Sequence, residues 1–255
     1  AQCEAKNHAL VLEDCNLEAT VNAIINSTYG CAGMRCMALP VVCVQESIAD
    51  EFVSLLKKKA EAMKLGCAYD EDTDLGPVVN AGHKEKICNW IQKGIDEGAE
   101  LVLDGRNAVV PGYENGFFVG PTILDHVTPE MTVGNREIFG PVTCIKRVKD
   151  YEEGIAVMNA NPFANGSCIF TQSGYYSRKF AMETDGGMVG INVGIPVPTA
   201  YFPFSGNKDS FFGDLHVLGK DGYRFFTRAK TVTTHWFDEA AGKRKVGTWE
   251  GSTEA

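Results

Sequence analysis

The residues with the plainest chemical potential are two cysteines and an arginine within Tyr29-Gly30-Cys31-Ala32-Gly33-Met34-Arg35-Cys36-Met37-Ala38. A thiolate is a strong nucleophile, so a cysteine held in an accessible turn is a candidate for covalent chemistry. Gly30 and Gly33 allow sharp bends and close backbone approach, which sets Cys36 at the mouth of a turn instead of on a packed face. Arg35 adds a neighbouring positive charge, and such a charge favours the thiolate. The backbone N–H of Cys36 is a donor suited to a developing alkoxide. Plainer alternatives stand beside these readings. Most cysteines are buried and inert, and Arg35 is equally suited to solvent or to a carboxylate partner.

The elements around this turn follow from hydrophobic spacing. Residues 16–28 carry Leu17, Val21, Ile24 and Ile25 on one helical face, with Asn16 as N-cap and Glu18 in the first turn. The β-branched run over residues 38–45 is a strand, and residues 46–63 return to helical spacing. Lys57, Lys58 and Lys59 make a solvated face near the end of that helix, where cations suit the dipole. Further helices are predicted near residues 81–97, 151–159 and 175–183. Strands are predicted over 100–103, 117–119, 122–124, 142–148, 167–171 and 188–193. Alternation of this kind predicts an α/β fold, a mostly parallel open sheet with helices on both faces. Thr231-Val232-Thr233-Thr234-His235-Trp236-Phe237 is β-rich and follows a glycine-punctuated loop, so the chain divides into a main domain, residues 1–228, and a C-terminal β arm and tail, residues 229–255.

Composition narrows the function classes. The 255 residues are 44% hydrophobic and 22% charged, ordinary values for a globular chain able to bury a sizeable core. A net charge of −9 argues against a nucleic-acid footprint. Nine cysteines form no C-x-x-C pair, and the chain opens with no signal peptide, so a reducing compartment is expected, cytoplasm or mitochondrial matrix. Five scattered histidines supply no zinc-ligand spacing, so no metal is expected. The acidic loop around Asp70-Glu71-Asp72-Thr73-Asp74 lacks the glycine and terminal glutamate of a calcium loop. No apolar run approaches the roughly 18 residues of a membrane span. No glycine-rich turn sits between strand and helix as a phosphate cradle would.

The stretch from Tyr29 to Ala38 resembles the nucleophile motif of the aldehyde dehydrogenase superfamily, commonly written G-Q-x-C. With arginine before the cysteine and Met-Ala after it, the similarity is to the CoA-acylating branch of methylmalonate-semialdehyde dehydrogenases. It continues in order from Ala5-Lys6-Asn7-His8, through Glu137-Ile138-Phe139-Gly140-Pro141-Val142, to Pro203-Phe204-Ser205-Gly206-Asn207-Lys208. Residue 1 stands a few positions before the match to the family's Glu-Leu-Gly-Gly-Lys segment, which in complete members follows a long cofactor-binding portion. The resemblance therefore implies a catalytic domain that binds NAD weakly by itself and has little or no activity alone.

What the resemblance implies about chemistry is specific. Cys36 attacks a semialdehyde, hydride passes to NAD, and the resulting thioester is transferred to CoA. Glu137 contacts the ribose hydroxyls and Phe139 flanks the nicotinamide; propensity alone reads them as a solvated loop residue and a core residue. Arg35 binds the substrate carboxylate, for which guanidinium is well shaped. Asn192, in Gly190-Ile191-Asn192-Val193, lies near the substrate funnel or else caps a strand end. Phe202 and Phe204 line that funnel or belong to the core. Matching Lys6 to the motif lysine places Gln2 where hydrolytic members carry a glutamate base, and an amide is no base. Glu4 would supply a carboxylate if the register slips. A hydrolytic NAD(P)-dependent aldehyde or succinate-semialdehyde dehydrogenase therefore stays open, as does a silent fragment. The implied partners are the semialdehyde, CoA, the missing cofactor-binding domain and further copies in a homo-oligomer joined through the C-terminal arm, with no nucleic acid or membrane.

Overall fold

The computed structural model describes residues 1–236. Short apolar runs build its centre. β1 (His8–Val11), β2 (Val41–Gln45), β5 (Val142–Val148) and β7 (Gly166–Phe170) are buried at nearly every position, the pattern of strands covered on both faces. They pair in parallel, with His8 opposite both Val41 and Ser167, and Val41 opposite Cys144. The sheet is completed by β3 (Glu100–Leu103), β4 (Thr122–Asp125) and β8 (Met188–Ile191), in the order β3-β4-β5-β2-β1-β7-β8. Only β3 runs antiparallel to its neighbour.

Helices cover both faces, as the alternation predicts. On one side α1 (Leu17–Tyr29), α2 (Glu46–Glu61) and α3 (Ala81–Asp96) contribute Val21, Ile24, Phe52, Leu56, Ile87 and Ile91 to one core with Val42 and Val44. On the other, α4 (Tyr151–Asn159) and α5 (Gly174–Glu183) place Ile155, Met158 and Phe180 against Leu10, Cys43 and Ile169. Side-chain caps start four of these helices. The Asn16 carboxamide oxygen accepts from Ala19 N at 3.1 Å, the N-cap read from the sequence, and Asn80, Asp150 and Ser173 act likewise.

Three expectations are corrected. Residues 117–119 are not a strand; the backbone there is drawn against the loop at Gly105, where a Cβ would lie 1.9 Å from the Gly120 carbonyl oxygen. The glycine-punctuated segment before residue 231 is more than loop: β9 (Asn207–Lys208) pairs antiparallel with β6 (Phe163–Ala164), and a short helix, α6, spans Gly219–Phe225. Residues 231–236 form no strand, because a β-rich segment needs a partner ladder and finds none among the described residues; Phe237 lies outside them.

Candidate active site

Because the central strands are parallel, the loops entering them meet at one end of the sheet. Ala5 and Asn7 lead into β1, Cys36 into β2, Glu137 and Phe139 into β5, and Asn165 into β7. The site therefore lies at the amino ends of the strands, opposite to the usual crevice of open α/β sheets.

The cysteine turn is held from several sides. Past α1 the chain turns through Cys31 (φ 52°), Ala32 (φ 53°) and Gly33 (φ 69°), all left-handed. A Cβ on Gly33 would fall 2.1 Å from the Gly140 carbonyl oxygen, so the close approach expected of this glycine joins the Cys36 loop to the Glu137 loop. At the end of α1 the Thr28 hydroxyl donates to the Leu39 carbonyl at 2.8 Å, and Ser27 Oγ accepts from Leu39 N at 3.1 Å. Two buried amides then fix the backbone of Cys36 itself. Asn7 Nδ2 donates to the Cys36 carbonyl at 2.8 Å and to the Ala38 carbonyl at 2.8 Å, while Asn165 Nδ2 donates to the Cys36 carbonyl at 2.9 Å. Asn7 Oδ1 in turn accepts from Gly166 N at 2.9 Å. Among the described residues no acceptor takes the Cys36 N–H, and the Cys36 side chain is exposed.

Four of the five expected site residues share one narrow cleft: Arg35, Cys36, Glu137 and Phe139 line it together with Ala5 and Asn7. Glu137 is half-buried, and its Oε1 accepts from Ala5 N at 3.3 Å. Burial pushes its carboxyl above the usual range, with that hydrogen bond partly opposing the shift. Phe139 is exposed and strained, with φ 61°; its carbonyl accepts from His83 Nε2 at 2.6 Å, which assigns the ring proton to Nε2, and the two rings meet edge-on at 6.2 Å. Arg35 takes neither of the plainer roles. Its Nη1 donates to the Asn26 carbonyl near the end of α1 at 3.0 Å, and its Nε donates to Cys31 Sγ at 3.2 Å.

The fifth residue lies elsewhere. Asn192 Oδ1 accepts from Thr171 N at 3.0 Å and its Nδ2 donates to the Thr171 carbonyl at 2.9 Å. The side chain prolongs the β7–β8 ladder, so the strand-capping alternative is the one observed. Gln2 Nε2 donates to the Phe204 carbonyl at 2.9 Å, Glu4 is exposed, and neither lines the cleft. Phe202 is exposed, outside both cleft and core. Asn165 and His83 were invisible to sequence reasoning, and Asn7 was quoted only as part of a motif. Among the described residues no group of three or more His, Cys, Asp or Glu side chains could hold a metal ion.

A parallel α/β sheet with a cysteine turn and a Glu-Ile-Phe-Gly-Pro loop meeting at its amino ends defines a class, and the comparison with known proteins agrees. The sequence profile of the aldehyde dehydrogenase family matches residues 1–232, and the chain belongs to that family. It is 53% identical over 232 residues to malonate-semialdehyde dehydrogenase 2 of Oceanobacillus iheyensis, covering 91% of this chain and 48% of the relative. The protein of the same name from Bacillus mycoides is 50% identical over the same length. Among solved structures, methylmalonate-semialdehyde dehydrogenase from Oceanimonas doudoroffii superposes with a TM-score of 0.92 at 43% identity, over 95% of this chain and 50% of that one. A putative methylmalonate-semialdehyde dehydrogenase from Sinorhizobium meliloti, complexed with NAD, gives 0.91 at 42% identity, over 93% and 48%. The chain spans about half the length of the curated relatives it matches.

Proposed function

We propose that this chain forms the cysteine-bearing catalytic portion of an NAD-dependent, CoA-acylating semialdehyde dehydrogenase acting on malonate or methylmalonate semialdehyde. The observation that carries the reading is the convergence of Cys36, Glu137 and Phe139 on one cleft. Names of the relatives support the substrate class.

The residues present fit NAD. The Glu137 carboxylate accepts a single protein hydrogen bond, leaving acceptor capacity for ribose hydroxyls, and Phe139 offers an exposed ring to a nicotinamide. NAD, when bound, supplies a hydride acceptor. The chain's own part begins with the Cys36 thiolate adding to the aldehyde carbon, while its unpaired N–H faces the forming alkoxide. Loss of hydride from that carbon leaves an acyl thioester on Cys36. The CoA thiolate then attacks the thioester carbonyl and expels Cys36 as thiolate, so the acyl group leaves on CoA. Arg35 lines the cleft as the candidate for the substrate carboxylate, although its guanidinium must then release the Asn26 carbonyl. The wall of the cleft carries Glu137 as its only acidic residue among the described residues, and Gln2 is turned to Phe204, which favours CoA over water as acceptor.

Residues 1–228 are proposed as the catalytic unit and 229–255 as an arm joining copies in a homo-oligomer, the remainder of the protein providing the cofactor-binding portion. The nine cysteines are all free, which suits a reducing intracellular compartment. With the full-length protein and NAD, a single burst of NADH is expected in the absence of CoA and sustained production in its presence. Cys36→Ala abolishes both and Cys31→Ala neither. Steady turnover without CoA would overturn the CoA-acylating reading.

A further inference from the structure

Away from the Cys36 cleft, two basic side chains, Lys146 and Arg136, and one exposed carboxylate, Glu130, line a second cavity of about 420 Å³ between residues 129–136 and the end of α4. Lys146, on β5, lines it while only 3% exposed. Its Nζ has one partner, Nε2 of the buried His8, at 3.4 Å. An ammonium can only donate, so Nε2 is the acceptor and the His8 proton sits on Nδ1, which donates to the Lys6 carbonyl at 2.7 Å. Close to these groups Lys6 is fully buried, and its Nζ has no hydrogen-bond partner at all. Arg136, on the cavity wall, lies over the Phe163 ring at 6.0 Å and makes no ion pair among the described residues. Glu130, also on the wall, is exposed and acts on the Lys146 ammonium through its charge, with no salt bridge joining the two among the described residues.

The contrast with the next residue is sharp. Arg147 meets three carboxylates, those of Asp125, Glu46 and Asp50. Lys146, Lys6 and Arg136, by contrast, have no carboxylate within salt-bridge distance among the described residues, in a chain whose net charge is −9. Burial holds both lysines below the ordinary ammonium range, opposed in part by the charge of Glu137 at Lys6 and of Glu130 at Lys146.

We propose that this cavity is an oxyanion site that takes a phosphate group, with Lys146 and Arg136 as its charged ligands. A guanidinium presents paired donors to a tetrahedral oxyanion, and a phosphate has oxygens enough to meet both cations at once, which chloride does not. The Asn161 and Thr132 side chains add polar wall. The site shares no lining residue with the Cys36 cleft, so it stands or falls separately from the thiol chemistry.

Calorimetric titration of the full chain with inorganic phosphate, at constant ionic strength against chloride, tests the site. Saturable binding is expected that chloride does not reproduce, weakened about tenfold or more in Arg136→Gln, the loss set by one charge-assisted contact. Lys146→Met is expected to do the same, and because a core variant risks misfolding, the exposed Arg136 carries the test. The alkylation rate of Cys36 stays unchanged in Arg136→Gln. A parallel titration with CoA and dephospho-CoA identifies the source: tighter binding of CoA, lost in Arg136→Gln, points to its 3′-phosphate, and equal binding of the two beside a response to inorganic phosphate points to free phosphate. No response beyond chloride, or equal phosphate binding by wild type and Arg136→Gln, overturns the proposal.

Discussion

Asn7 shows how a residue without reactivity governs a reactive one. Its carboxamide makes three hydrogen bonds, to the Cys36 and Ala38 carbonyls and from Gly166 N, and it is 3% exposed. Asn7→Leu strands the Ala38 carbonyl and the Gly166 N–H in a dry setting, while the Cys36 carbonyl keeps Asn165, at a cost of about 1–3 kcal/mol for each group stranded. Urea unfolding is expected to show a loss of about 3 kcal/mol or more, together with an altered rate of Cys36 alkylation. An unchanged alkylation rate would show that Asn165 alone positions the turn. His8 supplies a pH signature. Burial, then the nearby Lys146, holds its imidazole well below 6.5 in the folded state. The unfolded chain therefore takes up a proton near pH 6.5 that the folded chain refuses, and stability falls as pH drops below about 6.5, by up to about 1.4 kcal/mol per pH unit. Above that pH both states are neutral and the contribution is constant. Comparing urea unfolding of wild type and His8→Gln between pH 5 and 7.5 isolates the slope, which the variant is expected to lack. At this scale the place of Cys36 in the cleft was legible, because the turn glycines and the family motif both mark it. Asn165 was not, since a buried amide announces itself only when the backbone it satisfies is known. Arg35 carried a charge in the sequence but no direction, and only the fold shows it turned toward Asn26 and Cys31.

Between elements, the decisive contact is backbone against backbone, where Gly33 meets Gly140 and locks the entry loop of β2 to that of β5. Gly33→Ala combines left-handed strain at φ 69° with a Cβ 2.1 Å from a carbonyl oxygen that cannot rotate away. Gly112 provides the control: its φ is 82°, yet a Cβ there would meet nothing within 4 Å. Gly112→Ala is expected to cost about 1–2 kcal/mol, the strain alone. Gly33→Ala is expected to exceed it by about 1–3 kcal/mol in urea unfolding, the range of overpacking, and to change Cys36 accessibility. Equal costs would mean that the two loops part without penalty. The helices and, β1 apart, the central strands were legible because buried parallel strands and amphipathic helices carry their own periodicity; α1, capped by Asn16, follows its sequence reading almost to the residue. Residues 117–119 misled because Phe117-Phe118-Val119 has strand composition, while the neighbouring Gly105–Gly120 approach draws that backbone away from a ladder. α6 was missed for the opposite reason: Gly219 and Gly222 depress its propensity, and no residue of it is buried.

For the molecule as a whole, the distribution of apolar surface is lopsided. Val189 and Ile191 project from the edge strand β8 at 37% and 39% exposure, and Tyr201, Phe202, Phe225, Phe226 and Trp236 farther along the chain are exposed as well. A single soluble chain seldom leaves so much aromatic and β-branched surface in water, and a free strand edge beside it can pair with another strand. Buried clusters fill both faces of the sheet, so the exposed apolar surface is not a sign of unfinished folding. The chain alone, at 27.7 kDa, is therefore expected to scatter light as dimers or larger species at micromolar concentration. Val189→Lys with Ile191→Lys removes two β-branched side chains from the edge and charges it, which discourages edge pairing. The double variant is expected to shift the distribution toward monomer while its far-ultraviolet circular dichroism stays that of wild type. If the variant associates as strongly as its parent, the adhesive surface lies along residues 201–236, and the same scattering measurement on Phe225→Ser with Phe226→Ser locates it.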